Sequence, residues 1–151
     1  MPIFLSGHFI LASASPRRKE LLRSVSLKFK TIPAHVNEDY LRGETPKQHV
    51  RRLAQGKAKI VSEKYPDAWV LGADTIVVID GQILGKPENK SKAKKMLQKL
   101  SGRTHKVYTA FTIIRAASFI KSVRGSYTNV IGLPLCEVLE ELKTLGVISF
   151  R

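Results

Sequence analysis

The chain alternates between short apolar runs and helical stripes, with turn residues between them. Residues 9–12, beginning Phe9-Ile10-Leu11, read as a strand, and residues 16–24 read as a helix whose apolar side carries Leu21 and Leu22. Leu27-Lys-Phe-Lys-Thr-Ile32 alternates apolar with polar and predicts a second strand, followed by a loop over 33–40. Thr45 is placed to cap a helix with Pro46 in its first turn; Val50, Leu53, Ala54, Ala58 and Val61 then fall at helical spacing until Pro66 ends it. Gly56 weakens this helix by roughly 1 kcal/mol relative to Ala.

Trp69 to Ile79 is too apolar for a half-exposed strand and predicts a central one. Asp80-Gly81 reads as a hairpin turn into Gln82–Leu84. Ala93, Met96, Leu97 and Leu100 mark one face of a helix that ends at Gly102. His105 to Ile114 reads as a strand, Phe119 to Val123 as a short one, and Leu135 to Leu145 as the last helix. Strands interleaved with helices, with hairpins among them, imply a mixed sheet in an α/β or α+β layered architecture.

A chain of 151 residues, 43% hydrophobic and 25% charged, supports one compact soluble core. The single cysteine, Cys136, excludes an internal disulfide and a cysteine-based zinc site, and its apolar neighbours suggest a buried thiol. No stretch is long and apolar enough to span a membrane, and Met1-Pro-Ile-Phe-Leu-Ser lacks the basic start of a signal peptide. The expectation is a cytoplasmic protein without membrane contact. The net charge is +14, from 26 Lys+Arg against 12 Asp+Glu. The basic residues are dispersed and do not alternate with aromatics, so they favour an anionic substrate, with only nonspecific attraction for nucleic acid.

The richest chemistry lies in Leu11-Ala-Ser-Ala-Ser-Pro-Arg-Arg-Lys-Glu-Leu-Leu22. Ser15 can cap a helix, Pro16 suits its first position, and Arg17 and Arg18 follow. Arginine at a helix start opposes the helix dipole, so it does not serve helix stability there. Backbone N–H groups, Ser13, Ser15 and two guanidinium groups converge on a spot suited to a phosphate chain; a solvated surface charge is the plainer alternative. Asp74 sits inside the otherwise apolar Leu71-Gly-Ala-Asp-Thr-Ile-Val. It reads either as a general base or as a salt-bridged aspartate at a strand end. Lys86 is held between Gly85 and Pro87, and Lys57 lies near Ala54 and Ala58 on the apolar side of its helix. There is no Walker-type loop and no nucleophile elbow.

Four segments together resemble the Maf-like nucleoside triphosphate pyrophosphatases: Ser13-Ala-Ser-Pro-Arg-Arg18, Gly72-Ala-Asp-Thr75, Gly85-Lys-Pro87 and Gly125-Ser-Tyr-Thr-Asn-Val-Ile-Gly-Leu-Pro-Leu135. The resemblance implies a long twisted mixed sheet flanked by helices, with a cleft between two lobes. It implies hydrolysis of a nucleoside triphosphate to the monophosphate and pyrophosphate, with Mg²⁺ or Mn²⁺. Asp74 would activate water and Lys86 would stabilise the reacting phosphates. Arg17, Arg18 and Lys57, with Ser13 and Ser15, would bind substrate, and Glu38 with Asp74 would place the metal. Arg17 and Thr75 match the branch that acts on dTTP and UTP, and homodimers occur in such enzymes. A stretch that members carry between the strand ending near Ile114 and the segment beginning near Ala117 has no match, so a segment is missing near 114–118 of a single domain. Either the protein lacks it, or these 151 residues skip a mobile stretch beside the cleft, and the second reading is favoured. The competing reading is a non-catalytic protein that binds nucleotides or nucleic acid on an internally deleted fold.

Overall fold

A computed structural model describes residues 2–85, 87–127 and 132–150. Its strands are β1 (Ile3–Leu5), β2 (Phe9–Leu11), β3 (Lys30–Thr31), β4 (Trp69–Ile79), β5 (Gln82–Leu84), β6 (Lys106–Arg115), β7 (Ile120–Tyr127) and β8 (Ile148–Phe150). Its helices are α1 (Pro16–Ser24), α2 (Pro46–Lys64), α3 (Lys90–Leu100) and α4 (Leu135–Thr144). The main sheet runs β3-β2-β4-β6-β7, and β5 pairs with β4. β2 is parallel to both β3 and β4, while β4, β6 and β7 are antiparallel in turn, so the sheet is mixed and the fold α/β. β1 and β8 form a separate antiparallel ribbon.

Alternation along β4 sorts the layers. Trp69, Leu71 and Ala73 face a core with Leu22 of α1 and Val138 and Leu142 of α4. Val70 packs with Ala58 and Val61 of α2, and Ile76 and Val78 pack with Val50 and Ala54. Helices therefore cover both faces of the sheet. Gly72 lets α2 approach closely: a Cβ there would lie 2.7 Å from the Ala58 nitrogen and 2.9 Å from the Ala58 Cβ.

The helix boundaries near 16 and 46 follow local capping. Ser15 Oγ accepts from the Arg18 nitrogen, and Thr45 with Gln48 forms a full capping box. Elsewhere the structure differs from the pattern. The strand expected over 27–32 shrinks to Lys30–Thr31, because only two positions pair with β2 and Ser26 turns through a positive φ of 58°. The last strand is longer than expected because it pairs along β6 from Ile120 to Tyr127. The three-residue strands β1 and β8 are too short to reveal a period. The α3 stripe finds no deep core: no residue of α3 is buried, and Leu97 is exposed. Cys136 is exposed rather than buried, since it falls on the solvent side of the first turn of α4.

Candidate active site

β2 leaves the sheet after Leu11, where the Ala12 nitrogen still donates to the Leu71 carbonyl. Beyond that point the β2-side edge of β4 is unpaired among the described residues from Ala73 to Ile76, until β5 takes it up at Val77. The connection through α1 carries the chain from β2 to β3 on one side, and the connection through α2 returns it to β4 on the other side of β2. This is the switch point at which open α/β sheets form clefts, at the carboxyl end of the strand. A polar cavity of about 510 Å³ opens there, lined by Ser13, Ser15, Arg18, His35, Glu38 and Lys57 among others.

Successive residues of β4 point to opposite faces, so Asp74 and Thr75 are served from opposite sides. On the α2 side, Lys57 Nζ donates to Asp74 Oδ1 at 3.0 Å and lies 3.2 Å from Glu38 Oε1. Lys57 and Asp74 are both buried, whereas the Glu38 side chain is half exposed. Burial pushes the Asp74 carboxyl above its ordinary value, against the pull of the Lys57 ammonium. Asp74 Oδ2 is buried with no hydrogen-bond partner among the described residues.

On the other face, Arg18 is buried and its guanidinium joins three segments. Nε donates to the Gly132 carbonyl at 2.7 Å, Nη1 to Ser13 Oγ at 3.0 Å and Nη2 to Thr75 Oγ1 at 3.1 Å. Burial lowers the Arg18 pKa, offset by the charges of Asp74 and Glu38. Thr75 Oγ1 also pairs with Thr109 Oγ1 at 2.9 Å. Ser13 Oγ accepts from the Ser15 nitrogen at 3.2 Å, which tightens the turn into α1.

Seven of the sequence-predicted residues thus come together: Ser13, Ser15, Arg18, Glu38, Lys57, Asp74 and Thr75. Arg17 stands exposed on the first turn of α1. Lys86 lies outside the described residues. Arg18 is tied into the frame of the site, with three of its five N–H groups engaged.

A second cluster, absent from the sequence reading, holds the loop that bears Glu38. The Glu44 carboxylate accepts from Arg52 Nε at 2.6 Å and Nη2 at 3.1 Å, and sits 2.9 Å from His49 Nδ1. Arg52 also donates to the Asp39 carbonyl at 2.9 Å, and Tyr40 stacks on His49 at 4.4 Å. The Arg52 hydrogen bonds hold Glu44 well below the usual carboxylate range, at about 2. Glu44 just before the cap of α2 and Arg52 within the helix were the available sequence signal, but such a pair cannot be told from solvated charges without the burial of Glu44.

The sequence profile of the Maf-like protein family matches residues 8–118. A dTTP/UTP pyrophosphatase of Syntrophus aciditrophicus (strain SB) is 41% identical over 192 positions, covering 97% of this chain and 94% of that protein. Another, from Citrifermentans bemidjiense, is 40% identical over 190 positions, covering 95% of this chain and 98% of its own. Both alignments exceed the chain's 151 residues, so these relatives carry positions with no counterpart here. Among solved structures, protein VC0702 from Vibrio cholerae superposes with a TM-score of 0.46 at 16% identity, over 91% of this chain and 69% of that one. By its profile match and by identity over nearly its whole length, the chain belongs to the Maf-like family.

Proposed function

We propose that this protein hydrolyses nucleoside triphosphates, dTTP and UTP first among them, to the monophosphate and pyrophosphate. The observation that carries this is Asp74: buried, raised in pKa, and held by Lys57 beside a polar cavity at a helix N-terminus. Water attacks the α-phosphorus, Asp74 takes its proton, and the oxygen bridging α- and β-phosphorus leaves with pyrophosphate. A carboxylate made more basic by burial is suited to that transfer. The turn at Ser13 and Ser15, the N–H groups opening α1, Arg17 and Lys57 receive the phosphates. Arg18 holds that turn against Thr75 and has N–H groups left to offer. Lys86 is assigned to the reacting phosphates from its sequence motif.

The residues fit a divalent cation such as Mg²⁺ or Mn²⁺. Two carboxylates, Asp74 and Glu38, meet at Lys57, and Asp74 Oδ2 is left without a donor. Mg²⁺ is usually held by one or two carboxylates, with water and substrate phosphate completing its shell. When bound, such an ion neutralises charge on the phosphates. The setting in this reading is the cytoplasm; no helix among the described residues is long and apolar enough to cross a membrane.

The test is product analysis on the purified full chain with UTP or dTTP and Mg²⁺. Monophosphate and pyrophosphate in equal amounts are expected, and Asp74→Asn should lower kcat by roughly 10²–10⁴-fold. Release of inorganic phosphate and a diphosphate, or unchanged activity in the variant, would contradict the reading. The extra positions in the relatives favour a second one, binding without turnover, which predicts no monophosphate at any metal concentration. In either case we read the chain as one domain with a segment missing near residues 114–118, where the family match ends. Intact mass decides between the two: 16.9 kDa would make the deletion real and favour binding without turnover, whereas a mass several kDa larger would leave the enzyme reading with its full set of motifs.

A further inference from the structure

A second and larger cavity, about 750 Å³, lies at the other end of the sheet, among the amino ends of β2 and β4 and the residues around β3. Its apolar lining includes Phe9, Phe29 and Tyr65. Phe9 is buried, Phe29 half-buried and Tyr65 exposed at the mouth. Lys28, Lys30 and Lys64 also line it, with Asp67 as the one acidic residue. None of these groups belongs to the polar cleft, whose lining shares no residue with this cavity.

The geometry points to a second ligand site here, for a small amphipathic anion: a flat apolar body with one carboxylate, sulfonate or phosphate group. The aromatic walls suit the body, since ligand pockets are mostly apolar with a few placed polar groups. Three lysines against one aspartate set the sign of the head group. The end of α2 adjoins the cavity, and a helix C-terminus disfavours anions through its free carbonyls. That objection is weakened by the lysines and by three carbonyls at or just beyond the helix end that are already engaged. Val61 O accepts from the Tyr65 nitrogen, Tyr65 O from the Ala68 nitrogen, and Pro66 O from the Ala117 nitrogen. Trp69, the chain's only tryptophan, begins β4 one residue after the cavity wall at Ala68 and reports on it.

The probe is anilinonaphthalene sulfonate, an aromatic body with one sulfonate. Titrated into the full chain, it should brighten and quench Trp69 emission by energy transfer. Reversing the exposed Lys28 and Lys64 together to Glu should weaken it roughly tenfold or more. The same titration with the uncharged anilinonaphthalene should be unaffected by the double variant. Arg17→Glu, on the exposed first turn of α1 and outside the lining of this cavity, should leave dye binding unchanged. The proposal is overturned if the lysine reversal leaves dye affinity as it was, if Arg17→Glu abolishes binding, or if the uncharged probe binds the native protein as tightly as the sulfonate. Loss of binding with an altered circular dichroism spectrum is resolved by Lys28→Gln with Lys64→Gln, which must weaken the sulfonate and spare the neutral probe.

Discussion

Two glycines facing or carried by α2 have opposite expected responses to the same methyl group. At Gly72 on β4 an added Cβ would meet the backbone and side chain of α2, which cannot withdraw without separating helix from sheet. Gly72→Ala should cost about 1–3 kcal/mol by overpacking. At Gly56, inside α2, the nearest neighbour of a Cβ is Val36 Cγ1 at 3.4 Å, an ordinary contact with a loop side chain. Gly56→Ala should therefore stabilise by up to about 1 kcal/mol, the helix-propensity difference. Urea denaturation of both variants checks this, and equal signs would refute the packing argument. Asp74 carries a further residue-scale expectation. Its carboxyl is raised by burial, and the base must be ionised to act. The acidic limb of kcat/KM should therefore lie above the ordinary aspartate value of about 3.9. A limb at that value would mean that another group accepts the proton. Asp74 and Lys57 were legible in the sequence because a charge on an apolar strand or an apolar helix face is conspicuous. The partners of Arg18 were not, since Gly132 and Thr75 lie 114 and 57 positions away.

The elements that were legible are those fixed by neighbouring residues. α1 and α2 start where Ser15-Pro16 and Thr45-Pro46 place a cap before a proline, and β4 declares itself by eleven nearly continuous apolar positions. β1 and β8 were hidden because they pair only with each other, from opposite ends of the chain, over three pairs, while β3 was legible but overextended, since only two of its expected positions pair with β2. The loop between β3 and α2 was legible as a loop, but its anchor was not. That anchor makes a prediction for the element as a whole. Glu44 ties the loop to α2 through Arg52, and Arg52 ties it again through the Asp39 carbonyl. With its folded pKa depressed to about 2, Glu44 contributes stability that is fully present above its unfolded value. The contribution is lost as pH falls from that value toward about 2. Glu44→Gln should loosen the loop at neutral pH. Tryptic cleavage after the exposed Arg42 should then accelerate roughly tenfold, because a bidentate charge-assisted contact is gone. Unchanged cleavage would show that Tyr40 on His49 and Glu38 on Lys57 hold the loop unaided.

For the whole molecule, the dominant physical fact is a charge of +14 on a sheet covered by helices on both faces. The cleft concentrates few of those charges: Arg18 and Lys57 are buried and paired with protein groups. The excess sits outside, as on α3, where Lys90, Lys92, Lys94, Lys95 and Lys99 share a helix with no acidic residue. Such a surface attracts any polyanion without reading it, and the attraction arises from counterion release. Duplex DNA of any sequence should accordingly inhibit UTP turnover at 50 mM salt by holding the protein in a competing complex. Affinity should fall by orders of magnitude by 300 mM, since several lysines contact phosphates at once. Turnover itself should change far less over that range, because the buried Lys57–Asp74 pair is shielded from salt. Fluorescence anisotropy on two unrelated duplexes, alongside the turnover assay, separates the two effects. Equal affinities that collapse together with salt would assign the charge to a nonspecific field around the substrate cleft. A preference for one duplex that survives 300 mM salt would instead require a surface that reads bases.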